Sequence, residues 1–448
     1  MKQFSAKPKF SFLIIALFMI IAGGCSSAGV DKTELTGSIK VAVVSKGTFD
    51  YHYGDYLEAA YPDLEIEVIE FDLERKGMSV EQYIAIIERE QPDLILTPTY
   101  YLYKSLASSG LLEELSVRML DSDLKEEEFH PGVMELLKRT NDGQLYGMAP
   151  IFTTSVLSYN ADLFEKYAID PPHDGMTLPE VLDLASRFTK SGSHEDGIVG
   201  YHQPFSSKPS DHLNSLSASE GIQSYHLGRG QVTVNTPAWK QVYQTVVDLY
   251  DSGTFLLQDV KGKVVDGTTF FGPEAAAEAD LFKKGKAAMT VSSYGQFDEA
   301  KFKTGAVTPP VSSADRSKTS HMYINNLMSI RKGSPNADTA WELIEFMHSD
   351  YMSKVRSNLG DVGFSSRRGD NQDSLVGKLY ELHPVVLQIE LLDEFIMSDR
   401  AGTFMNQFKE LEDRELIAVL QKEKSLDEAI ETIQTEGQAL MDAARAAK

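Results

Sequence analysis

The order of apolar patterns along the first hundred residues predicts an α/β fold built on a parallel sheet. Residues 38–45 have the composition of a buried strand, and residues 64–70 alternate apolar and acidic side chains, as a strand with one solvated face does. A capping-box pattern at Ser79 predicts a helix that runs to about Glu90, and a further buried strand covers 93–97. Strand, helix and strand at this spacing indicate parallel strands joined by a crossover helix.

Later helices also have recognisable start signals. A hydroxyl side chain stands immediately before each predicted helix, and a proline or an acidic residue follows it in the first turn. These helices are predicted to begin after Thr177, Thr236, Ser334 and Ser425. The two tryptophans of the chain, Trp239 and Trp341, fall on apolar helix faces, so we assign them to packing rather than to ligand stacking.

Chain length and charge limit the domain organisation and the partners. The 448 residues are too many for one ordinary core and suit two lobes of about 200 residues each. The chain has 66 acidic against 43 basic residues, a formal net charge of −23 at pH 7. Such a surface repels nucleic-acid phosphates and anionic lipid headgroups, so we expect neither as a partner, although a basic pocket for an anion is not excluded.

The N-terminus has the pattern of a secretory leader. Lysines precede an apolar run over 12–22, which is shorter than the roughly 20 residues that a helix needs to cross a bilayer. Cys25, the only cysteine, stands directly behind it and resembles the lipid-modified cysteine of a bacterial lipoprotein. We therefore predict a signal peptide over 1–24, and a lipidated (palmitate-bearing) cysteine with a flexible tether over 25–37. Ordinary secretion with cleavage nearby and an uncleaved anchor are the alternatives.

Catalytic and metal-binding patterns are missing from the sequence. If Cys25 carries lipid, no thiol is left for a disulfide, a nucleophile or a metal. The histidines are scattered without a zinc-protease spacing, and no phosphate-binding loop, dinucleotide glycine pattern or nucleophile elbow occurs. We predict that the protein is not an enzyme and has no metal or other cofactor; a secreted lipoprotein hydrolase is the less favoured alternative.

Three sequence blocks, taken in order, resemble one known family. They lie at 143–180, at 281–291 with its motif Leu-Phe-Lys-Lys-Gly-Lys-Ala-Ala-Met-Thr-Val, and at 308–346. This chain resembles the extracellular solute-binding proteins of ATP-driven importers, in the maltose-binding-protein-like group. The resemblance implies a two-lobe periplasmic-binding-protein-like fold of type II, in which each lobe is a mixed or parallel sheet flanked by helices and the ligand cleft lies at the hinge.

The resemblance also implies where the chain crosses between the lobes. Crossings are expected near 149–154, 288–293 and 323–328. The first lobe is then predicted to comprise 38–149 and 292–324. The second lobe is predicted to comprise 150–289 and 327–448.

The function implied is capture of a small solute between the lobes, with delivery to the permease subunits of an ABC importer. A sugar or oligosaccharide is the expected solute, and we expect a monomer, lipid-anchored on the extracytoplasmic face of a cell membrane, a Gram-positive exterior in particular. Binding between two lobes needs no catalytic group, because the ligand stabilises the closed form in which it touches both faces. A non-sugar solute such as a peptide, polyol or anion, or a ligand-presenting sensor, is the alternative.

Candidate ligand-binding residues follow from the chemistry of sugars, which offer apolar faces to aromatic rings and hydroxyl groups to polar side chains. Tyr100 and Tyr101 stand beyond the end of a predicted strand, where ligands of α/β folds collect, although packing in the core is the alternative for each. The remaining candidates lie beyond the first strand, next to the expected crossings or on the second lobe: Thr48, Phe49, Thr153, Asp211, His212, Tyr294 and Phe404.

Overall fold

The computed structural model describes residues 34–71, 80–139, 143–203, 208–256, 263–265, 268–270, 272–357, 363–369, 374–385 and 399–447. The predicted signal peptide, Cys25, most of the tether and the capping residue Ser79 lie outside the described residues. Within the described part of the chain, no helix is both long enough and apolar enough to cross a membrane.

The described secondary structure mixes short strands with helices. The strands are β1 (Gly37–Val43), β2 (Leu64–Glu70), β3 (Leu94–Thr97), β4 (Ile151–Asn160), β5 (Val199–His202), β6 (Tyr225–His226), β7 (Gln231–Val232), β8 (Lys263–Val265), β9 (Thr268–Phe270), β10 (Ala287–Ser293), β11 (Thr304–Val307), β12 (Lys318–Thr319), β13 (Met322–Tyr323), β14 (Leu327–Ile330), β15 (Phe364–Ser365) and β16 (His383–Pro384). The helices are α1 (Lys46–Phe49), α2 (Asp55–Ala60), α3 (Val80–Glu90), α4 (Tyr100–Ser108), α5 (Ser116–Leu120), α6 (Pro131–Arg139), α7 (Ala161–Lys166), α8 (Leu178–Lys190), α9 (Pro209–Glu220), α10 (Pro237–Asp251), α11 (Pro273–Ala279), α12 (Ala337–Met347), α13 (Asp350–Ser357), α14 (Ser374–Leu379), α15 (Asp399–Leu420) and α16 (Leu426–Ala446). A π-helical turn covers Asp50–Gly54, and 3₁₀ turns cover Glu126–Glu128 and Ser193–Asp196.

The first sheet has the strand order β14-β3-β1-β2. β1 pairs in parallel with both β2 and β3, which confirms the parallel sheet predicted from the first hundred residues. β14 pairs with β3 in the antiparallel direction and brings Leu327 opposite Thr97. The sheet is therefore mixed, because a strand from the second half of the chain closes one side of it.

The second sheet is formed around β4, its longest strand. Its order is β11-β4-β10-β5, and β13 and β15 also pair with the first residues of β4. β10 is antiparallel to β4 and parallel to β5, so the ends of β10 and β5 lie at the edge where β4 begins.

Each sheet has its own large hydrophobic core. The first core joins residues of β1, β3 and β14 to α12, and the second joins β4 and β10 to α8, α10 and α15. Trp239 is 3% exposed in the second core and Trp341 is 7% exposed in the first, so their predicted packing role is confirmed. Two sheets with separate cores correspond to the two lobes expected from the sequence.

The distribution of the chain between the two sheets corrects the lobe boundaries given by the resemblance. Residues 292–324 were predicted in the first lobe, but β10 continues to Ser293 and β11 pairs with β4, so much of this range belongs to the second sheet. Residues 327–448 were predicted in the second lobe, but β14 pairs with β3, and α12 packs in the first core. The chain returns to the second core only with α15.

Local sequence explains where the major helices begin. The Thr177 hydroxyl accepts from the Glu180 amide while the Glu180 carboxylate accepts from the Thr177 amide, which is the reciprocal arrangement of a capping box. Ser425 and Glu428 form a second such box at α16. The Thr236 hydroxyl accepts from the Trp239 amide and starts α10. Each of these starts agrees with the sequence prediction.

Candidate functional site

The two sheets meet where the chain crosses between them. β1 and β3 are parallel neighbours, so their carboxyl ends lie at one edge of the first sheet, and β14 begins at that edge. Only three residues separate β14 from β13, which pairs with β4 of the second sheet. We call residues 45–49, 98–101 and 323–326, together with 151–155 at the start of β4, the cleft edge. Ligands of α/β folds collect at such strand ends.

The segment after β1 offers one accessible candidate and one packed candidate. The Ser45 hydroxyl accepts from the Thr48 amide at 3.3 Å and starts the short helix α1. Thr48 is exposed on this turn. Phe49 is buried, and its ring stacks with that of Tyr53 at 6.1 Å between centroids. The structure therefore leaves Thr48 available to a solute and gives Phe49 a packing role.

The two tyrosines that begin α4 differ in their surroundings. The Tyr100 hydroxyl donates to the Leu136 carbonyl at 3.1 Å, which holds the side chain against the first core. Tyr101 is half-buried against the same core, and burial raises the pKa of its hydroxyl to about 12. Both partly exposed rings lie at the cleft edge, because the Thr99 side chain starts their helix just beyond β3.

The crossing contains an exposed aromatic residue, Tyr323, that was not among the candidates predicted from the sequence. Tyr323 pairs with Thr153 across β13 and β4, and the Thr153 hydroxyl donates to the Tyr323 carbonyl at 3.4 Å. The Tyr323 side chain is 55% exposed, an unusual state for a large ring beside a sheet. A two-residue strand has no period that could have indicated which way its side chains point.

Tyr294 lies close to the same crossing. It follows the last residue of β10, where Ser293 pairs with Ser155 of β4. Its ring packs on Phe364 with centroids 5.8 Å apart. Phe364 itself pairs with Phe152 through β15. The structure thus places Tyr294 and Thr153 at neighbouring positions around the start of β4.

Two candidates of the second lobe, Asp211 and His212, contact other residues of the same lobe. α9 follows the end of β5, so Asp211 and His212 stand at the edge where β4 begins. The His212 ring stacks on Phe255 at 3.9 Å and its Nδ1 is 2.9 Å from the Tyr250 hydroxyl. Burial lowers the pKa of His212 to about 4, so the ring is neutral at pH 7. Asp211 forms an ion pair with Lys409 at 2.6 Å.

Phe404 has no surface to offer a solute in this structure. Its exposed fraction is 0%, and its ring lies between those of Tyr225 and Phe408 at 5.1 and 5.6 Å. α15 turns this residue into the second core, and the neighbouring Met405 is exposed instead. The sequence placed Phe404 among the binding residues, and the structure corrects it to a core residue.

Comparison with known proteins gives the family. Residues 37–350 match the family of bacterial extracellular solute-binding proteins. The chain belongs to this family. The family predicted from the sequence is therefore confirmed, and its members are extracytoplasmic binding proteins rather than enzymes.

Similar structures support the same fold. An extracellular solute-binding protein of family 1 from Alicyclobacillus acidocaldarius is 14% identical and has a TM-score of 0.62, with 92% of this chain and 100% of that chain covered. The Listeria monocytogenes ABC substrate-binding protein in complex with cycloalternan is 18% identical with a TM-score of 0.55, over 92% and 100% of the two chains. The predicted two-lobe fold of type II is confirmed.

A curated relative matches a smaller part of the chain. The sn-glycerol-3-phosphate-binding periplasmic protein UgpB of Agrobacterium fabrum is 25% identical over 132 residues. The match covers 29% of this chain and 30% of that protein's length.

The described part of this solute-binding protein has no metal centre. No three histidine, cysteine or acidic side chains among those residues are grouped so that they could hold an ion. A cavity of about 590 Å³ opens on the second lobe beside α8, lined by residues that include His173, Glu180 and Arg187. None of the cleft-edge residues lines this cavity, so we place the solute site by the strand ends and the crossing instead.

Proposed function

We propose that this chain captures a sugar or a closely related hydroxylated solute between its two lobes and delivers it to an ABC importer. Membership of the solute-binding family carries the proposal. The cleft edge and the neighbouring Tyr294 support it, because they offer partly or fully exposed aromatic rings and hydroxyl side chains. These residues are Thr48, Tyr101, Thr153, Tyr294 and Tyr323.

The chemistry of these side chains suits a hydroxylated solute. Aromatic faces cover the C–H faces of a sugar ring or polyol, and hydroxyl groups satisfy its donors and acceptors. One similar protein is described in complex with cycloalternan and another is named as an sn-glycerol-3-phosphate-binding protein, and both of these compounds carry hydroxyl groups. This shared chemistry is the part of their specificity that we extend to this chain.

The two-lobe arrangement would convert capture into a signal. A solute that contacts both lobes binds the closed form better than the open form, and it shifts the population by that difference in affinity. An importer that distinguishes the two forms would then accept the loaded protein. We propose the lipid on Cys25 as the device that keeps the protein at the extracytoplasmic face of the membrane, as in a Gram-positive cell.

Thermal melting of the chain from Ser26 onward, alone and with sugars, oligosaccharides and polyols, tests the binding. A ligand at about 100 times its dissociation constant adds roughly 2.7 kcal/mol to native stability and raises the melting temperature. A folded sample that responds to no solute of any class would contradict the proposal. Normal uptake in cells that lack the protein, together with tight binding in vitro, would favour a ligand-presenting sensor.

A matched pair of variants locates the site. Tyr323 and Tyr351 are both 55% exposed, but Tyr323 lies at the crossing and Tyr351 lies on α13 against Phe346. Tyr323→Ala should weaken binding by about 1–3 kcal/mol through loss of stacking, whereas Tyr351→Ala should leave the affinity unchanged. Calorimetric titration of both variants with the best solute measures the difference.

A further inference from the structure

A buried arginine behind the cleft edge has no carboxylate partner among the described residues. Arg356, on α13, is only 4% exposed. Its guanidinium lies over the Tyr53 ring at 5.6 Å from the centroid, and its Nη2 is 3.5 Å from the His52 carbonyl oxygen. Its Nε has no hydrogen-bond partner in the part of the chain that the structure describes. Within the described ranges, no acidic side chain forms an ion pair with it.

This arrangement is costly for the folded protein. Burial lowers the pKa of Arg356 below its ordinary value, yet a guanidinium remains charged at neutral pH. A charge removed from water without a counter-ion destabilises the fold unless something else compensates for it. Acidic side chains are abundant here, at 66 against 43 basic ones, so the lack of a partner does not reflect a shortage of acids.

A second arginine nearby shows that the surroundings can supply partners. Arg367 pairs with Glu128 at 2.7 Å and with Asp350 at 3.2 Å, and it also donates to the His348 carbonyl. Burial lowers the pKa of His348 to about 4, with a smaller lowering from the charges of Arg356 and Arg367, so both arginines lie near this ring. Among the described residues of this region, one arginine has two carboxylate partners and the other has none.

The position of Arg356 connects it to the crossing. His52 and Tyr53 belong to the π-helical turn that directly follows α1 and the cleft-edge residue Thr48. The Tyr53 hydroxyl donates to the Asn326 carbonyl at 3.4 Å, inside the three-residue link between β13 and β14. The Tyr53 side chain therefore contacts both Arg356 and the segment that joins the lobes.

We propose that Arg356 recognises an anionic group, a phosphate or a carboxylate, on the solute captured at the cleft edge. The inference rests on the proposed function and specifies the solute as an anionic hydroxylated compound. A guanidinium binds both oxyanions with two parallel hydrogen bonds, and the bond is stronger where water is excluded. The contact forms when Tyr53 moves away from Asn326 as the lobes close on the solute. The strongly negative surface elsewhere would otherwise oppose anion binding.

Matched pairs of neutral and anionic solutes test the inference by calorimetric titration. Glycerol with sn-glycerol 3-phosphate probes phosphate, and galactose with galacturonate probes carboxylate. In at least one pair, the anionic member should bind about tenfold more tightly or better, which corresponds to about 1.4 kcal/mol. Arg356→Gln should abolish that difference, and Arg356→Lys should keep part of it because the charge remains but the paired geometry is lost.

Lys354→Gln is the matched control. Lys354 is an exposed residue of α13, two positions from Arg356 and outside the cleft edge, so the variant removes one positive charge from the same helix and leaves Arg356 in place. It should preserve the preference for the anionic member. An equal loss in Lys354→Gln and Arg356→Gln would show a general electrostatic effect and overturn the role of Arg356.

The outcomes separate the inference from the proposed function. Neutral members that bind as tightly as anionic ones would overturn the inference and leave solute capture intact, and so would an anionic preference that survives in Arg356→Gln. A folded wild-type protein that binds no member of any pair or of the wider panel would reject both. If Arg356→Gln melts well below the wild type, the guanidinium has a structural partner and the inference fails; an unchanged or higher melting temperature supports it.

Discussion

The first and second lobes, the two sides of the proposed binding region, differ in how they hold their candidate residues. On the first sheet, Thr48 is exposed and Tyr101 is half-buried, so both keep surface that a solute can contact. On the second sheet, His212 is stacked in an aromatic cluster and Phe404 is fully buried. We propose that the first sheet and the crossing, including Thr153 and Tyr294, decide which solute is bound, while His212 and Phe404 stabilise the second lobe.

The largest expected effect belongs to the buried side. Phe404→Ala removes a ring packed between Tyr225 and Phe408 and leaves a cavity in the second core. We expect a loss of about 3–5 kcal/mol in the free energy of unfolding, measured by urea denaturation. The neighbouring Met405→Ala, at an exposed position, should change stability by less than about 0.5 kcal/mol.

The solute affinity of Phe404→Ala tests whether Phe404 belongs to the core or to the binding site. At a temperature where Phe404→Ala is fully folded, the dissociation constant should equal that of the wild type. A large loss of affinity without loss of folded protein would place Phe404 in the binding site after all and break the contrast between the two sides.

A buried carboxyl group on the same side predicts a pH effect. Glu412 accepts a hydrogen bond from the Tyr243 hydroxyl at 2.9 Å, and burial raises the pKa of its carboxyl from 4.5 to about 8. The folded chain keeps this proton to a higher pH than the unfolded chain does. The contribution of Glu412 to the free energy of unfolding is therefore complete below pH 4.5 and is lost as the pH rises through 8.

Glu412→Gln keeps the acceptor for Tyr243 and removes the titration. The variant should match the wild type near pH 4.5 and exceed it in stability by about 4–5 kcal/mol at pH 8 and above. Melting temperatures across this range measure the divergence. Parallel curves at all pH values would show that Glu412 does not titrate abnormally in the folded protein.

His212 should make the same lobe sensitive to acid. Burial lowers the pKa of His212 from 6.5 to about 4. Between these pH values the unfolded chain is protonated at His212 and the folded chain is not. Stability is therefore lost as the pH falls from 6.5 to 4. His212→Phe should reduce that loss by about 1–2 kcal/mol, although the variant is less stable at pH 7 because the Tyr250 hydroxyl loses its partner.

Melting curves between pH 7 and pH 4 test this effect. His194→Phe, at an exposed histidine, is the control for a change of residue type. An unchanged acid slope in His212→Phe would indicate that the ring is protonated within the fold. In that case His212 is accessible enough to contact a solute, and the contrast between the two sides weakens.

The secondary structure was predictable where local patterns determine it. The predicted strands at 38–45, 64–70 and 93–97 correspond to β1, β2 and β3 within a few residues. The lobe assignment of the later segments was wrong because it depends on distant pairing. The contact between Thr97 and Leu327 joins residues 230 positions apart, and no local pattern indicates it.

The candidate site was predictable to the level of segments rather than side chains. The rule that ligands collect at strand ends selected the segments of Thr48 and Tyr101, and the structure has both just beyond the ends of β1 and β3. It could not show that Phe49 and Phe404 turn into cores, because an aromatic residue suits packing and stacking equally. It also missed Tyr323 and Arg356. Tyr323 is a candidate because its ring is exposed, and Arg356 because its buried Nε has no partner among the described residues; only the tertiary structure reveals either property.

The smallest expected effects sharpen the comparison within the first sheet itself. Tyr100 and Tyr101 are adjacent, and the Tyr100 hydroxyl donates to the backbone carbonyl of Leu136. Tyr100→Phe should lower the free energy of unfolding by about 0.5–1.5 kcal/mol and leave solute affinity unchanged, because the lost bond is internal. Tyr101→Phe should weaken solute binding, because Tyr101 is a proposed solute contact at the cleft edge. Unfolding and titration measured on both variants separate the two roles, since the reverse result would assign Tyr100 to the solute and Tyr101 to the core.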